Sequence, residues 1–405
     1  MKIAIFHNLP SGGAKRHTLE QVRELAHRGH ELVEFTLSTA DLSYCSLAPY
    51  VRDQRIYPFA PARPIRRRVP LLTPYFHAWT GLHTLRGLND VNRQVASEID
   101  SRGFDCVLVK DCHLAMNPYV LRHLTTPSAF QCHHGLRHWL TGSPGQLKTL
   151  DRLKHLYFRP AQLAFDGRLH FDERTNARRA TLALTNSKYS QSLMAERYGV
   201  SARIIYPGIN IGKFRPLGIE RQDYVLSVGA LIYGKGHRFL ISALSRIAAA
   251  RRPSLFIAAN SADSIEEAFI RKLAEEHGVN LHIEQIVDDA RLVQVYNQAR
   301  AFIYAPYQEA LGMAPLEALA CGTPVVAVAE GGVRETVIDD ETGWLTERDE
   351  QIFAERLESL LADDAARDRM GRTGIARVRE TWNWDRAVDE LESSLEECRS
   401  GASGR

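Results

Sequence analysis

The sequence predicts an α/β protein made of two halves, each built on a parallel sheet covered by helices on both faces. Short apolar runs alternate with segments of helical period from the N-terminus onwards, and the same alternation restarts near residue 225. Glycine-containing turns stand between several of the apolar runs and the helices that follow them. A length of 405 residues also favours two domains over a single core.

The predicted domain limits follow from where this alternation is interrupted. We expect an N-terminal domain over residues 1–205, a linker over 206–218 that contains a Pro-Gly pair, and a C-terminal domain over 219–382. Residues 383–405 are expected to form a helix that packs back on the N-terminal domain and ends in a disordered tail.

Composition narrows the class of protein. The net charge of +3 is too small to predict a nucleic-acid partner. Six scattered cysteines form no Cys-x-x-Cys pair, which is typical of reduced thiols in a cytosolic protein. Because a strand is predicted from Lys2, we expect no signal peptide, and no apolar run approaches the roughly 18 residues that a membrane span requires. We therefore expect a cytoplasmic protein whose membrane contact, where there is any, is peripheral.

A strand–helix–strand unit opens the N-terminal half. The strand Lys2–Phe6 leads through a turn that contains Gly12 and Gly13 into a helix over Ala14–Arg28, and the next strand is Leu32–Leu37. Free backbone N–H groups at the start of that helix could hold an anion or let a ligand approach closely. A purely structural turn is the alternative.

Residues 52–86 differ in composition from the rest of the first half, because arginines alternate there with aromatic residues and prolines. Such a stretch could lie on anionic lipid or face a phosphate-bearing acceptor, and a solvated loop is the alternative. The arginines are Arg52, Arg55, Arg63, Arg66, Arg67, Arg68 and Arg86, and the aromatic residues are Tyr57, Phe59, Tyr75, Phe76 and Trp79.

Two histidines follow a predicted strand later in the N-terminal half. Strands are predicted over Cys106–Val109 and Ala129–Cys132, and His133 and His134 come directly after the second. His134 and His138 have the four-residue spacing of one helical face, but the absence of a tight Cys/His ligand pattern argues against zinc. A histidine at the carboxyl end of a parallel strand is well placed to hydrogen-bond to a substrate, and a structural histidine is the alternative.

The second half opens with a glycine-rich loop between a strand and a helix. The strand Val225–Val228 is followed by the loop Gly229–Gly236 and by a helix from His237 to about Ala250. Lys235 lies between two glycines at the helix entrance. This arrangement suits a diphosphate, because backbone N–H groups can approach it while the ammonium group neutralises its charge. The spacing differs from that of a Walker loop.

The remaining strands are predicted from short apolar runs that are bounded by turns or helical patterns. They are Leu182–Thr185 and Arg203–Tyr206 in the first half, and Leu255–Ala259, Leu281–Ile283, Phe302–Tyr304, Val325–Ala329 and Trp344-Leu345 in the second.

Three carboxylates stand out in residues 309–335. Glu309, Glu317 and Glu335 each fall near a predicted strand-to-helix junction, where α/β sheets bind ligands. The alternative is that these acidic residues complement the dipoles of the helices that they begin.

A series of short motifs in the second half resembles that of one enzyme family. In chain order the motifs are Tyr206-Pro-Gly-Ile-Asn to Lys213-Phe-Arg-Pro, Val228-Gly229, Lys235-Gly236, the Glu309 and Glu317 pair, Gly322-Thr-Pro-Val-Val, Gly331-Gly332 with Glu335, and Thr342-Gly-Trp. Ser11-Gly-Gly and Asn186-Ser187-Lys188-Tyr189 extend the match more loosely into the first half. The chain resembles the family-four retaining glycosyltransferases, which have the GT-B fold of two Rossmann-like domains facing across a cleft.

The resemblance implies roles for particular residues. Glu317 would accept hydrogen bonds from both ribose hydroxyls, Glu309 would contact the donor sugar, and Lys235 would neutralise the diphosphate leaving group. The other implied donor-binding residues are Gly229, the N–H groups of Gly312, Met313 and Ala314, the loop at Ile286 and Val287 for the nucleobase, and Gly12 and Gly13 for donor phosphate or acceptor. Either His133 or His134 would be the cleft histidine.

Two positions depart from the family pattern. Ala230 stands where the family has an arginine that shares the diphosphate with the lysine, and Ala310-Leu311 replaces the usual aromatic residue after Glu309. Arg238 or His237 could substitute for the missing arginine, or the helix N-terminus could bind more of the phosphate charge. Reduced or lost activity is the alternative.

The implied function is hexosyl transfer from a UDP- or GDP-linked sugar to a glycan, lipid-linked or small-molecule acceptor, with retention at the anomeric carbon. The chain has no Asp-x-Asp motif, so we expect no essential metal, and no cofactor besides the nucleotide sugar as substrate. A nucleotide-sugar epimerase of the same fold and a catalytically weak binding protein are the alternatives. The expected location is the cytoplasm, with the inner face of the membrane as the place where residues 52–86 would act.

Overall fold

The computed structural model of the protein describes residues 1–63, 73–133, 149–286 and 288–401. The described chain divides into two compact units. The first unit contains Met1–Asn186, Gln191–Ile205 and Val388–Arg405, and the second contains Ser187–Ser190 and Tyr206–Ala387.

The elements of the first half form a parallel sheet with intervening helices. They are β1 (Lys2–Asn8), α1 (Gly13–His27), β2 (Glu31–Leu37), β3 (Asp53–Tyr57), α2 (Thr73–Ser101), β4 (Cys106–Cys112), α3 (Val120–His123), β5 (Ser128–Cys132), α4 (Thr149–Ala177), β6 (Leu182–Thr185), α5 (Lys188–Tyr198) and β7 (Arg203–Ile204). Within the described residues the strand order is β3-β2-β1-β4-β5-β6-β7.

The second half repeats this arrangement. Its elements are β8 (Gln222–Val228), α6 (His237–Ser245), β9 (Ser254–Ala259), α7 (Ser264–Glu276), β10 (Leu281–Gln285), α8 (Asp289–Gln298), β11 (Ala299–Tyr304), α9 (Met313–Ala320), β12 (Val325–Val328), α10 (Val333–Thr336), β13 (Gly343–Thr346), α11 (Glu350–Ala362), α12 (Asp364–Thr381) and α13 (Trp384–Arg399). The strand order is β10-β9-β8-β11-β12-β13.

Both sheets have the strand order of doubly wound α/β proteins. Every strand pair in them is parallel, for example β1 with β4 and β8 with β11. Successive residues of a central strand bury their side chains on opposite faces of the sheet, as Val225 and Leu226 do in β8. The predicted class, two Rossmann-like parallel-sheet domains, is confirmed.

Helix α6 is shorter than predicted. The sequence pattern extends to about Ala250, but the helix ends at Ser245. The guanidinium group of Arg252 donates to the carbonyl oxygens of Ser245 and Ile247, both at 2.9 Å, and so satisfies groups that a longer helix would have bonded internally.

The 52–86 stretch contains regular structure that its composition does not predict. Residues 53–57 form the edge strand β3, and α2 begins at Thr73. Proline is compatible with the first turn of a helix, where its missing N–H would have no partner, and Pro74 therefore does not prevent α2 from starting. Arg66, Arg67 and Arg68 lie outside the described residues.

The second part of α13 packs on the first unit through charged side chains. Glu392 accepts hydrogen bonds from Arg28 Nη1 and from His30 Nε2, both at 2.8 Å, and Arg203 Nη2 lies 2.6 Å from Glu397 Oε2. The residues from Val388 onwards are accordingly grouped with the first unit.

Candidate active site

The second sheet has its topological switch point between β8 and β11. These strands are neighbours, but the chain leaves them in opposite directions along the sheet, towards β9 and towards β12. Loops that leave adjacent parallel strands at such a point diverge and create a crevice at their carboxyl ends. The loop 229–236 follows β8, and the loop 305–312 follows β11, so both loops lie at this position.

Lys235 and Glu309 meet at the switch point. Lys235 Nζ lies 2.6 Å from Glu309 Oε2, and the hydroxyl of Tyr304 donates to the same oxygen at 3.1 Å. The two charged side chains are 27% and 21% exposed, so they can be reached from solvent. Burial and the nearby charge of Glu309 raise the pKa of Tyr304 well above its usual value, which keeps the hydroxyl protonated as a donor.

Glycine holds the two loops against each other. Gly236 has a left-handed backbone with φ of 70°, and a Cβ there would stand 1.8 Å from the carbonyl oxygen of Ala305. The N–H of Tyr307 donates to the carbonyl oxygen of Gly234 at 2.9 Å. The position of Lys235 relative to Glu309 is therefore set by the backbone on both sides.

A third loop, after β12, supports the backbone of Glu309. A Cβ on Gly332 would stand 2.2 Å from the carbonyl oxygen of Ala310, and one on Gly331 would stand 2.2 Å from that of Glu309. The N–H of Gly332 donates to the Glu309 carbonyl at 2.9 Å. The sequence marks Gly331-Gly332 as a motif, and the structure gives the physical reason, which is close contact between two backbones.

An aromatic and arginine stack lies beside these loops. The rings of Tyr233 and Tyr307 are stacked with centroids 5.3 Å apart, and the guanidinium of Arg348 lies 3.9 Å from the Tyr307 ring centroid. Arg348 also donates to Glu330 Oε1 at 2.7 Å and to the carbonyl oxygen of Ala305 at 2.9 Å. Arg348 therefore joins the loops after β11 and β12, and the Tyr233–Tyr307 stack adds the loop after β8.

Helix α9 presents backbone donors and a buried carboxylate. It begins after Gly312, whose φ of 95° favours glycine, and the N–H groups of Met313 and Ala314 lie in its first turn. Glu317 is 6% exposed, and its Oε2 accepts a hydrogen bond from the hydroxyl of Tyr296 at 2.8 Å. A carboxylate has about four acceptor positions, and this chemistry suits a group that binds several hydroxyl groups at once.

The two residues predicted as substitutes for the family arginine, Arg238 and His237, both bind other protein groups. Arg238 binds Glu266, with Nε 2.9 Å from Oε1, and its guanidinium lies 3.7 Å from the ring centroid of Phe269. His237 is buried and donates from Nε2 to the carbonyl oxygen of Ala230 at 3.2 Å. Burial lowers the pKa of His237 to about 4, so its ring is neutral near pH 7.

Ile286, predicted to line the nucleobase, has an uncommon backbone. Its φ is 56°, a left-handed value that is rare for a β-branched residue, and its side chain is 87% exposed. Its N–H donates to the carbonyl oxygen of Ala259 at 2.8 Å, which holds the end of β10 beside β9. Val287 lies outside the described residues.

Gly229 and Glu335 differ in what they contact. A Cβ on Gly229 would stand 3.4 Å from Lys235 Cδ, so this glycine lies against the Lys235 side chain. Glu335 contacts other residues. It accepts hydrogen bonds from the N–H groups of Lys188 and Tyr189 at 2.9 and 3.1 Å, and from the hydroxyl of Tyr206 at 2.7 Å. Glu335 thus caps the start of the helix that begins at Lys188, and both of its oxygens are bound to protein.

In the first unit, the predicted glycines and histidine lie near the carboxyl end of the sheet. Gly12 has φ of 147°, and a Cβ on either Gly12 or Gly13 would meet no atom within 4 Å. His133 follows β5, is 9% exposed, and has its Nε2 2.9 Å from His17 Nδ1. The N–H of His133 donates to Asp111 Oδ2 at 2.9 Å. His134 lies outside the described residues.

Three residues that form hydrogen bonds with predicted site residues were not predicted from the sequence. Tyr296, His17 and Asp111 bond to predicted site residues but are 21, 116 and 22 positions away from them in the chain. The sequence offered no signal for Tyr296 beyond a helical pattern. A histidine four residues after Gly13 was the available signal for His17.

The described residues show neither a metal-ion cluster nor a membrane-spanning helix. They contain no group of three or more His, Cys, Asp or Glu side chains arranged to hold a metal ion. No described helix is both long enough and apolar enough to cross a bilayer.

Curated relatives match either part of this chain or nearly all of it. The mouse protein "Alpha-1,3/1,6-mannosyltransferase ALG2" is 27% identical over 241 residues, which cover 51% of this chain and 56% of that protein. The chain therefore spans little more than half the length of that relative. The "D-inositol 3-phosphate glycosyltransferase" of Xylanimonas cellulosilytica is 26% identical over 415 residues, with 93% and 90% coverage.

Solved structures share the fold across nearly the whole chain. Sucrose-phosphate synthase from Thermosynechococcus elongatus superposes with a TM-score of 0.74 at 19% identity and covers 99% of this chain and 100% of its own. HepE from Anabaena, in a crystal structure with UDP-glucose, gives a TM-score of 0.68 at 16% identity, with 98% and 100% coverage.

Two family models together span most of the chain. Residues 212–377 match "Glycosyl transferases group 1", and residues 11–213 match "Glycosyltransferase Family 4". The second match alone covers half of the 405 residues, and the resemblance drawn from the sequence motifs is confirmed. The chain belongs to glycosyltransferase family 4.

Proposed function

We propose that this protein transfers a sugar from a UDP- or GDP-linked donor to an acceptor hydroxyl, with retention of the anomeric configuration. The observation that carries the proposal is the Lys235–Glu309 pair, held 2.6 Å apart at the switch point of the second sheet. A solvent-accessible cation with neighbouring helix N–H groups is suited to a diphosphate, and a carboxylate beside it is suited to sugar hydroxyls.

On binding at the switch point, the nucleotide sugar would replace the contact between Lys235 and Glu309. Lys235 would exchange its bond with Glu309 for bonds with the diphosphate, and Glu309 would then accept from hydroxyl groups of the donor sugar. Glu317 would accept the ribose hydroxyls while it stays fixed by Tyr296. The N–H groups of Met313 and Ala314, at the start of α9, favour the negative charge of the phosphates.

The chemical step follows from this charge distribution. The bond between the anomeric carbon and the diphosphate oxygen breaks, and the acceptor oxygen forms a bond to the same carbon on the same face. The acceptor proton passes to a donor phosphate oxygen. Lys235 lowers the barrier because it stabilises the charge that develops on the leaving diphosphate. A histidine at the end of β5, His133 or His134, would stand beside the sugar.

Names of the relatives support a sugar-nucleotide donor and a hydroxyl-bearing acceptor. HepE was crystallised with UDP-glucose, and the two curated relatives are a mannosyltransferase and an inositol phosphate glycosyltransferase. We propose a glycan, lipid-linked or small-molecule acceptor on this basis. Gly12 and Gly13, whose Cβ positions are open, leave room for a phosphate of the donor or for the acceptor.

A second candidate is a binding protein with weak catalysis. It is favoured by Ala230, because Arg238 is bound to Glu266 and His237 is neutral, so neither adds a second positive charge beside Lys235. A nucleotide-sugar epimerase would use the same donor site without an acceptor.

The test incubates the full chain with a panel of UDP- and GDP-sugars, alone and with mixed acceptors, and follows each donor by mass spectrometry and proton NMR. We expect donor consumption that requires an acceptor, a product with the donor's anomeric configuration, and the same rate in excess EDTA. Conversion of donor without acceptor would identify an epimerase. Binding without donor consumption or hydrolysis would favour the binding protein, and an inverted product would contradict retention.

A further inference from the structure

A buried pair of histidines joins the first turns of α1 to the end of β5. His17 Nδ1 lies 2.9 Å from His133 Nε2, and the ring centroids are 4.6 Å apart with the planes inclined at 67°. Both side chains are buried. When two imidazole nitrogens share a hydrogen bond, one ring must donate a proton and the other must accept it.

Asp111 lies beside the other ring nitrogen of His133. Its Oδ2 accepts from the backbone N–H of His133 at 2.9 Å and lies 3.3 Å from His133 Nδ1. A carboxylate beside Nδ1 favours the tautomer of neutral His133 that carries its proton on Nδ1. Nε2 of His133 then carries the lone pair, and His17 must donate its own Nδ1–H to it.

The surroundings of His17 favour a neutral ring. Burial holds the pKa of His17 well below its usual value, and the nearby charge of Lys110 acts in the same direction. Lys110 lies close by in β4, where its ammonium group donates to the side-chain oxygens of Gln21 and Gln131. A neutral His17 has one N–H, and the bond to His133 places it on Nδ1.

We propose that His17 is a positioning residue that fixes the ring orientation and the tautomer of His133. The inference rests on the proposed function, in which a histidine at the end of β5 stands beside the substrate. His17 and Asp111 hold the ring from two sides, so it keeps one orientation as donor and product exchange. A displacement of about 1 Å in such a site can lower the rate roughly 100-fold.

Two substitutions with similar polarity separate positioning from folding. In His17→Asn the amide nitrogen stands close to where Nδ1 was, whereas in His17→Gln it stands close to where Nε2 was. We expect His17→Gln to lower kcat roughly 10- to 100-fold with little change in donor KM, and His17→Asn to keep most of the activity. Thr18→Val is the control, because Thr18 is the neighbouring buried residue and donates to the carbonyl oxygen of Ala14.

Nitrogen NMR of the ligand-free protein, with ¹⁵N-labelled histidine, measures the tautomer of His133 directly. The signals that disappear in His133→Gln are assigned to His133. We expect His133 protonated on Nδ1 alone in the unmodified protein and in His17→Asn, and an exchange between tautomers in His17→Gln. An unchanged His133 signal in His17→Gln, or equal kcat in the Asn and Gln variants, would overturn the proposal. A protein that transfers no sugar would overturn the proposed function, and the tautomer comparison would still accept or reject the histidine pair.

Discussion

A substitution of Lys235 should affect catalysis much more than it affects the stability of the fold. We expect Lys235→Met to lower kcat by roughly 100- to 1,000-fold, the range seen when one preorganised group that stabilises transition-state charge is removed. Its ion pair with Glu309 is partly exposed and is worth less than about 1 kcal/mol, so the thermal unfolding midpoint should hardly change. Steady-state kinetics and calorimetry measure the two effects.

Lys272→Met is the matched control, because Lys272 pairs with Glu276 on the exposed side of α7. It removes the same charge from the second unit and should leave kcat unchanged. If Lys235→Met lost thermal stability in proportion to its activity, Lys235 would be a structural lysine.

His237 gives a pH dependence of stability with a definite sign. Its pKa is about 4 in the folded protein and about 6.5 in the unfolded chain, so between these values the unfolded state binds the additional proton. Above pH 6.5 His237 is neutral in both states and does not change the free energy of unfolding with pH. As the pH is lowered to 4, protonation of His237 in the unfolded chain lowers the free energy of unfolding by about 3 kcal/mol.

His237→Gln tests this account, because its amide can still donate to the Ala230 carbonyl but does not titrate between pH 4 and 7. The unfolding midpoint of the unmodified protein should fall more steeply from pH 6.5 to 4 than that of the variant. Parallel curves would mean that His237 is not buried in its neutral form.

At the scale of elements, the three glycine-containing loops determine where Lys235 and Glu309 stand. Gly332→Ala tests this without backbone strain, since φ at Gly332 is −76°. The added methyl group would stand 2.2 Å from the Ala310 carbonyl oxygen, so the loop that carries Glu309 must move. We expect a destabilisation of about 1–3 kcal/mol and a loss of donor binding.

Gly167→Ala provides the comparison. Gly167 is an exposed residue inside α4, and a Cβ there would meet no atom within 4 Å, so the change should be neutral or stabilising by up to about 1 kcal/mol. Denaturant unfolding and calorimetric titration with nucleotide measure both properties. Unchanged binding in Gly332→Ala would show that the loops are not coupled.

The sequence predicted the central strands well, because parallel strands buried on both faces appear as continuous apolar runs such as Val325–Val328. The edge strand β3 and the start of α2 were missed, because their arginines, aromatic residues and prolines conceal the underlying period. The contacts of Glu317 with Tyr296 and of His133 with His17 depend on tertiary packing. No local pattern in the sequence encodes such pairs.

At the level of the whole molecule, exposed aromatic side chains on α2 follow a basic stretch of the chain. Trp79 and Tyr75 on α2 are 49% and 41% exposed, and Arg63 is part of the preceding basic stretch. Aromatic and basic side chains together bind the interface of anionic bilayers. We propose peripheral contact through residues 52–86.

Flotation with vesicles of phosphatidylglycerol and phosphatidylcholine tests this contact. We expect the protein to float with the anionic vesicles at low salt, and to float less when Arg66, Arg67 and Arg68 are changed to serine or when Trp79 is changed to serine. Vesicles of phosphatidylcholine alone are the control. No flotation of the unmodified protein would exclude this surface as a membrane contact.

We propose that the switch point of the second unit binds a nucleoside diphosphate sugar, with Glu317 on the ribose. Calorimetric titration of UDP, GDP and their sugars into the unmodified protein and Glu317→Gln tests it most directly. Hydrogen bonds to a charged group are worth about 1.5–3 kcal/mol, so we expect nucleotide binding that Glu317→Gln weakens roughly 10- to 100-fold. Equal affinity in the two proteins, or no binding by the unmodified protein, would contradict it.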